Sequence, residues 1–144
     1  MASRLKDTLL LVTADHGMID SEEHHIEDYP DIAECLLTFP NREPRSLSFF
    51  IKPGHQEKFL ESWNKHFKED FLLLTKAEVL EKQYFGSGIA HQRINDFIGD
   101  YVALAIGHKH LWFKKAGGSA HNHRAAHAGL CQAEMSVPLV LIET

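Results

Sequence analysis

The chain has 144 residues, 44% hydrophobic and 24% charged, the balance of one globular domain spanning residues 1–144 rather than of a disordered segment. Asp and Glu total 20 against 15 Lys and Arg, and the net charge of −5 argues against a general nucleic-acid coat. No apolar run reaches the roughly 18–20 residues of a membrane span. Two cysteines, Cys35 and Cys131, are too few for a disulfide framework, so they are read as small buried side chains and their scarcity as a cytoplasmic address.

In chain order, Asp7–Ala14 (DTLLLVTA) reads as a buried strand, because its apolar run carries no helical period. It ends at Asp15-His16-Gly17, where the glycine permits a sharp turn. Asp31–Phe39 suits a strand, or a short helix and then a strand, and Pro40–Pro44 is turn chemistry. Ser46–Lys52 reads as a strand broken by Pro53-Gly54. Phe59, Leu60, Trp63, Phe67 and Phe71 recur at helical steps and predict an amphipathic helix over Gln56–Phe71. Phe71–Leu74 is a short strand. Thr75 and Glu78 then form a capping-box pattern that opens a helix to about Tyr84. Phe85–Gly88 is a loop. Asp100–Ile106 and Leu111–Phe113 predict a strand pair around a turn at Gly107-His108-Lys109. Gly117-Gly118-Ser119 opens a flexible stretch to His127, Gln132–Met135 is one helical turn, and Val137–Glu143 is a last strand. The class is α/β, a mixed β-sheet with flanking helices. Sites in such sheets lie in the loops after the carboxyl ends of strands, where Asp15 and His16 fall.

Eleven histidines direct attention to metals. Asp15–Glu34 holds eight acids and no Lys or Arg, whereas His108–His127 holds four cations, five histidines and no acid. These are either two solvated loops or two sides of one site. Asp15 and His16 are a carboxylate and an imidazole that a sharp turn can aim at one ion. His121, His123 and His127 read in three ways: a self-contained three-histidine zinc site, a polar loop, or a loop with one ligand completing a site begun by Asp15 and His16. Ser87 and Ser119 sit beside glycines without a nucleophile elbow, and no glycine-rich phosphate loop is present. His24 and His25 read as solvated loop, His91 and Asp100 as structural polar groups or caps.

Leu9–Met18 (LLLVTADHGM) resembles the metal-binding strand and turn of the alkaline phosphatase superfamily, in its branch of type I phosphodiesterases and nucleotide pyrophosphatases. His127–Ile142 (HAGLCQAEMSVPLVLI) resembles that family's last motif, a ligand histidine and a glycine followed by a Glu-Met-x-Val-Pro-Leu strand. Glu43-Pro44-Arg45 before a Phe-Phe strand, and Phe85–Gly88 leading to Gly99-Asp100, look like the bacterial members. The resemblance implies the C-terminal portion of an alkaline phosphatase-like fold. It implies two divalent metal ions, usually Zn²⁺ with Mn²⁺ as the alternative, at the carboxyl edge of the sheet. Asp15 and His16 match the adjacent pair on one ion, and His127 matches a ligand of the other. The implied substrate is a phosphate ester or nucleotide. A manganese-dependent phosphomutase is the other branch, and a non-catalytic metal- or partner-binding module is the non-enzyme reading. The family's Thr or Ser nucleophile, an early Asp and an Asp-x-x-x-His pair have no match here, so the chain is expected to be inactive alone. A sheet without its other strands would expose an apolar surface and self-associate.

Overall fold

The computed structural model describes residues 6–113 and 123–144; the glycine-rich stretch at Gly117-Gly118-Ser119 and His121 lie outside the described residues. Ten strands and five short-to-medium α-helices follow one another along the described chain. They are β1 (Leu9–Thr13), β2 (Ile19–Asp20), β3 (Glu22–His25), α1 (Pro30–Ala33), β4 (Asn41–Glu43), β5 (Ser46–Phe49), α2 (Gln56–Phe67), β6 (Phe71–Thr75) and α3 (Lys76–Glu81), followed by α4 (Ile94–Phe97), β7 (Tyr101–Ala105), β8 (Lys109–Trp112), β9 (Ala125–Ala126), α5 (Gln132–Met135) and β10 (Leu139–Glu143).

The core is built on an antiparallel sheet in the order β4-β5-β7-β6. Every residue of β5 is buried, and Phe49 lies opposite Tyr101 in the register. The apolar stripe of α2 lies on this sheet, with Phe59 and Trp63 at 0% and Phe67 at 1% exposure. Trp63 packs edge-on against Phe49 with ring centroids 5.1 Å apart, one of several aromatic contacts that make this side of the sheet rigid. The helix stops at Phe67, and Phe71 opens β6 instead of extending the helix. Thr75 caps α3 as its sequence predicts. Its N–H donates to the Glu78 carboxylate at 2.8 Å, and its hydroxyl accepts from the Glu78 N–H at 3.3 Å. The helix ends at Glu81, short of Tyr84, and the chain then turns at Gln83 with φ 52°.

Two expectations are corrected. β7 and β8 are strands but do not pair with each other. β7 lies between β5 and β6, while β8 pairs in parallel with β3. The carbonyl of Asp70 accepts the N–H groups of both Ile106 and Gly107, and the Arg45 guanidinium takes the carbonyls of Gly107 and Lys109. These bonds use the groups a tight hairpin would need and steer the chain away. β1 is the second correction, because it is exposed rather than buried. Among the described residues it pairs only with β10, antiparallel, and Leu9, Leu11 and Val12 are more than half exposed, as are Leu139 and Leu141 across the register. This two-stranded ribbon is apolar on both faces. No described helix is long and apolar enough to cross a membrane.

The acidic and basic stretches meet. β2 pairs antiparallel with β9, and the Ser21 N–H extends this ladder to the Arg124 carbonyl at 3.0 Å. Residues 125–126 are therefore strand rather than part of a flexible stretch.

Candidate metal centre

β1 delivers the chain to Asp15-His16-Gly17, and the turn is held from outside. The Gly17 N–H donates to the Glu134 carbonyl at 3.0 Å, and a Cβ on Gly17 would run into the backbone of Ala133 and Glu134. Only glycine allows α5 to approach this closely. From there the β2–β9 register, with Ile19 opposite Ala126, brings His127 alongside His16. The two imidazoles stack with centroids 3.8 Å apart and planes 13° from parallel.

The His16 ring is also held in a defined orientation. Its Nδ1 lies 2.8 Å from the Gly17 carbonyl, which can only accept, so Nδ1 is the donor there and Nε2 is the nitrogen left for a ligand. That Nε2 is 3.6 Å from Asp15 Oδ2. Two donors each about 2.0–2.1 Å from one tetrahedral ion sit about 3.4 Å apart, so this pair is spaced to share an ion. A histidine ligand held through its other nitrogen by a carbonyl is the usual outer-shell arrangement at metals. Asp15 is 89% exposed and available for such a role. Among the described residues, no group of three or more His, Cys, Asp or Glu side chains is arranged to hold a single metal ion.

Behind the histidine pair lies a buried ion pair. Arg45 and Glu134 are both fully buried, and Nε and Nη2 of Arg45 donate to the two Glu134 oxygens at 2.9 and 2.6 Å. The same carboxylate accepts the N–H groups of Gly129 at 2.9 Å and Cys131 at 3.2 Å. Burial alone would raise the Glu134 carboxyl, but the Arg45 guanidinium and the Gly129 N–H outweigh it and hold the group below the usual carboxylate range. Between His127 and Gly129, Ala128 adopts φ 77°, a left-handed conformation that costs an alanine energy.

A second polar cluster flanks the first. Glu23 lies opposite His110 in the β3–β8 register and contacts it at 3.5 Å, bonds His25 at 2.9 Å, and accepts the His123 N–H at 2.9 Å. Ser21 bonds the other nitrogen of the fully buried His110 at 2.9 Å. Burial pushes the His110 imidazole below its ordinary value, against the pull of the Glu23 carboxylate. Burial pulls Glu23 upward, but the His123 N–H and the His110 and His25 imidazoles outweigh it, and the net shift is downward.

Asp15, His16 and His127 are thus brought together. His123 is not joined to them: its ring stacks on Trp112 with centroids 5.2 Å apart. His25 is mostly buried and lies 2.9 Å from the Glu23 carboxylate rather than being solvated. Asp100 accepts the Ile51 N–H and His91 accepts the Arg93 N–H, so both act as structural polar groups. Arg45, Glu134, Glu23 and His110 carry the scaffold, and no local periodicity marks them. Arg45 and Glu134 lie in the motifs that carry the resemblance, but there they are sequence matches with no partner assigned, and Cys131 and Glu134 stand at capping-box spacing.

No protein-family model and no curated protein matches the chain. Among solved structures it superposes on human ectonucleotide pyrophosphatase/phosphodiesterase 5 with a TM-score of 0.65 at 18% identity, over 97% of this chain and 35% of that one. The murine protein gives 0.63 at 18% identity, over 94% and 34%. Phosphonoacetate hydrolase from Sinorhizobium meliloti gives 0.57 at 19%, over 92% and 35%. The architecture is therefore α/β, with several sheets and flanking helices, and matches a fragment of an alkaline phosphatase-like fold. The chain spans about a third of the length of these structural neighbours.

Proposed function

We propose that the chain supplies one edge of a two-metal phosphohydrolase site, with Asp15 and His16 holding one divalent ion and His127 the other. The observation that carries this reading is the convergence of the three side chains: a carboxylate and an imidazole 3.6 Å apart, and a second imidazole stacked 3.8 Å from the first. Near-parallel rings at this spacing suit ligands of two neighbouring ions about 3.5–4 Å apart. Such a pair, when bound, supplies charge stabilisation for the attacking and leaving oxygens of a phosphoryl group. The chain's own residues do the rest. Asp15 offsets cationic charge, the Gly17 carbonyl leaves Nε2 of His16 as the nitrogen for a ligand, and the β2–β9 ladder keeps His127 in reach.

Zinc fits this mixed nitrogen and oxygen donor set, and manganese is the alternative. The substrate class is a phosphorus oxyanion. The fold neighbours include a phosphodiesterase and a hydrolase of phosphonoacetate, and a phosphate ester or nucleotide suits the first of them. Three ligands shared by two ions leave each ion short of a four-coordinate set, so the chain alone binds metal weakly and does not turn over.

The test is a zinc titration followed by the ring resonances of the histidines. His16 and His127 are expected to shift first, and Asp15→Asn, His16→Ala or His127→Ala to abolish the early shift while His123→Ala leaves it. Zinc that moves His24, His25 and His110 while leaving His16 and His127 in place would overturn the reading.

A further inference from the structure

We infer that Glu134 is a positioning residue that sets the distance between His16 and His127 by holding the two turns that carry them. Its main-chain carbonyl accepts the N–H of Gly17, next to His16. Its side-chain carboxylate accepts the N–H of Gly129, two residues beyond His127. One residue therefore touches both turns. Their sequence separation is more than a hundred residues, so neither turn orients the other through the chain.

The carboxylate is itself immobile. Arg45 grips it through two nitrogens and ties it to the carbonyls of Gly107, in the turn between β7 and β8, and of Lys109, the first residue of β8. The His127 turn is pulled down onto this anchor. The Leu130 N–H donates to the Ala105 carbonyl at 2.7 Å, and Gly129 sits so close that a Cβ would lie 2.5 Å from a Glu134 oxygen and 2.9 Å from an Arg45 nitrogen. Ala128, the residue between His127 and Gly129, is held at φ 77°. An unanchored alanine would relax from that conformation, so the anchor opposes a local preference just where the histidine must be aimed. Arg45 shares the role through Glu134. Neither residue is expected to touch a metal or substrate.

The experiment uses Glu134→Leu, which removes both side-chain acceptor oxygens, and with them the bond to the Gly129 N–H, at similar side-chain size. Gly129→Ala is the second variant. It keeps the Arg45–Glu134 pair and pushes the His127 turn off it, so it tests the same contact without leaving a buried charge alone. The direct readout is the nuclear Overhauser contact between the His16 and His127 rings in the metal-free protein, recorded below the melting temperature of each variant. The contact is expected in the wild type and lost in both variants, while contacts within the Phe49–Phe59–Trp63 core persist. A merely structural role would lower the melting temperature and leave the ring contact intact in whatever protein is folded. The second readout rests on the metal reading above: zinc affinity at His16 and His127 should fall by about 10–100-fold, the usual cost of losing an outer-shell support. A wild-type chain that binds no zinc refutes the metal reading, and the ring contact alone then judges Glu134. A folded variant of either kind that keeps both the ring contact and wild-type zinc affinity refutes the positioning role.

Discussion

Replacing Arg45 by methionine tests the energetics of the scaffold beneath the histidine pair. Arg45 is fully buried and makes two bonds to Glu134, bonds to the Gly107 and Lys109 carbonyls, and a contact of 3.4 Å to the Cys131 sulfur. Without it, the Glu134 carboxylate stays in the interior with two N–H donors and no counter-charge. Breaking a buried ion pair from one side costs about 3–5 kcal/mol. In a domain of this size each kcal/mol lowers the melting temperature by about 2–4 °C, so Arg45→Met should lose roughly 6–20 °C. Urea unfolding followed by the fluorescence of the buried Trp63 gives the free energy directly. The double change Arg45→Met with Glu134→Leu removes both charges and should cost less than the sum of the two single changes. The double variant still falls below the wild type, because the carbonyls of Gly107 and Lys109 and the N–H groups of Gly129 and Cys131 lose partners, each worth about 1–3 kcal/mol when buried. An Arg45→Met protein within about 1 kcal/mol of the wild type, or a double variant that shows simple additivity, would refute this account of the pair.

Acid should weaken the fold in two stages. His110 is pushed down in the folded state, so the unfolded chain takes up its proton first and stability falls as pH drops below about 6.5; Glu23 and Glu134 are held low, so their contribution is lost as pH falls below about 4.3 toward their folded values. Urea midpoints that stay level across this range would contradict the shifts. The ribbon of β1 and β10, with Leu11 opposite Leu141 and both more than half exposed, should make sedimentation concentration-dependent. Leu11→Lys with Leu141→Lys should reduce the effect, and a wild-type chain that sediments as a clean monomer at high concentration would count against it.

Local chemistry made some of this legible in advance. The stripe of Phe59, Trp63 and Phe67 and the capping box of Thr75 and Glu78 are short-range patterns, and they put the starts of α2 and α3 in place, although both helices end earlier than the patterns suggest, at Phe67 and Glu81. Asp15-His16-Gly17 was readable as a turn after a strand for the same reason: one glycine and one apolar run suffice. The pairing of strands was not readable. β7 and β8 are neighbours in sequence and both apolar, yet bonds from Asp70 and Arg45 at their turn send them to different sheets. Burial of β1 was misjudged because an apolar run specifies what a strand prefers to touch, while its exposure depends on which elements are there to cover it. The site divides in the same way. The donor atoms of Asp15, His16 and His127 are properties of the residue types. Their meeting depends on the β2–β9 register and on Glu134, which joins two turns that only the folded chain brings within a hydrogen bond of each other.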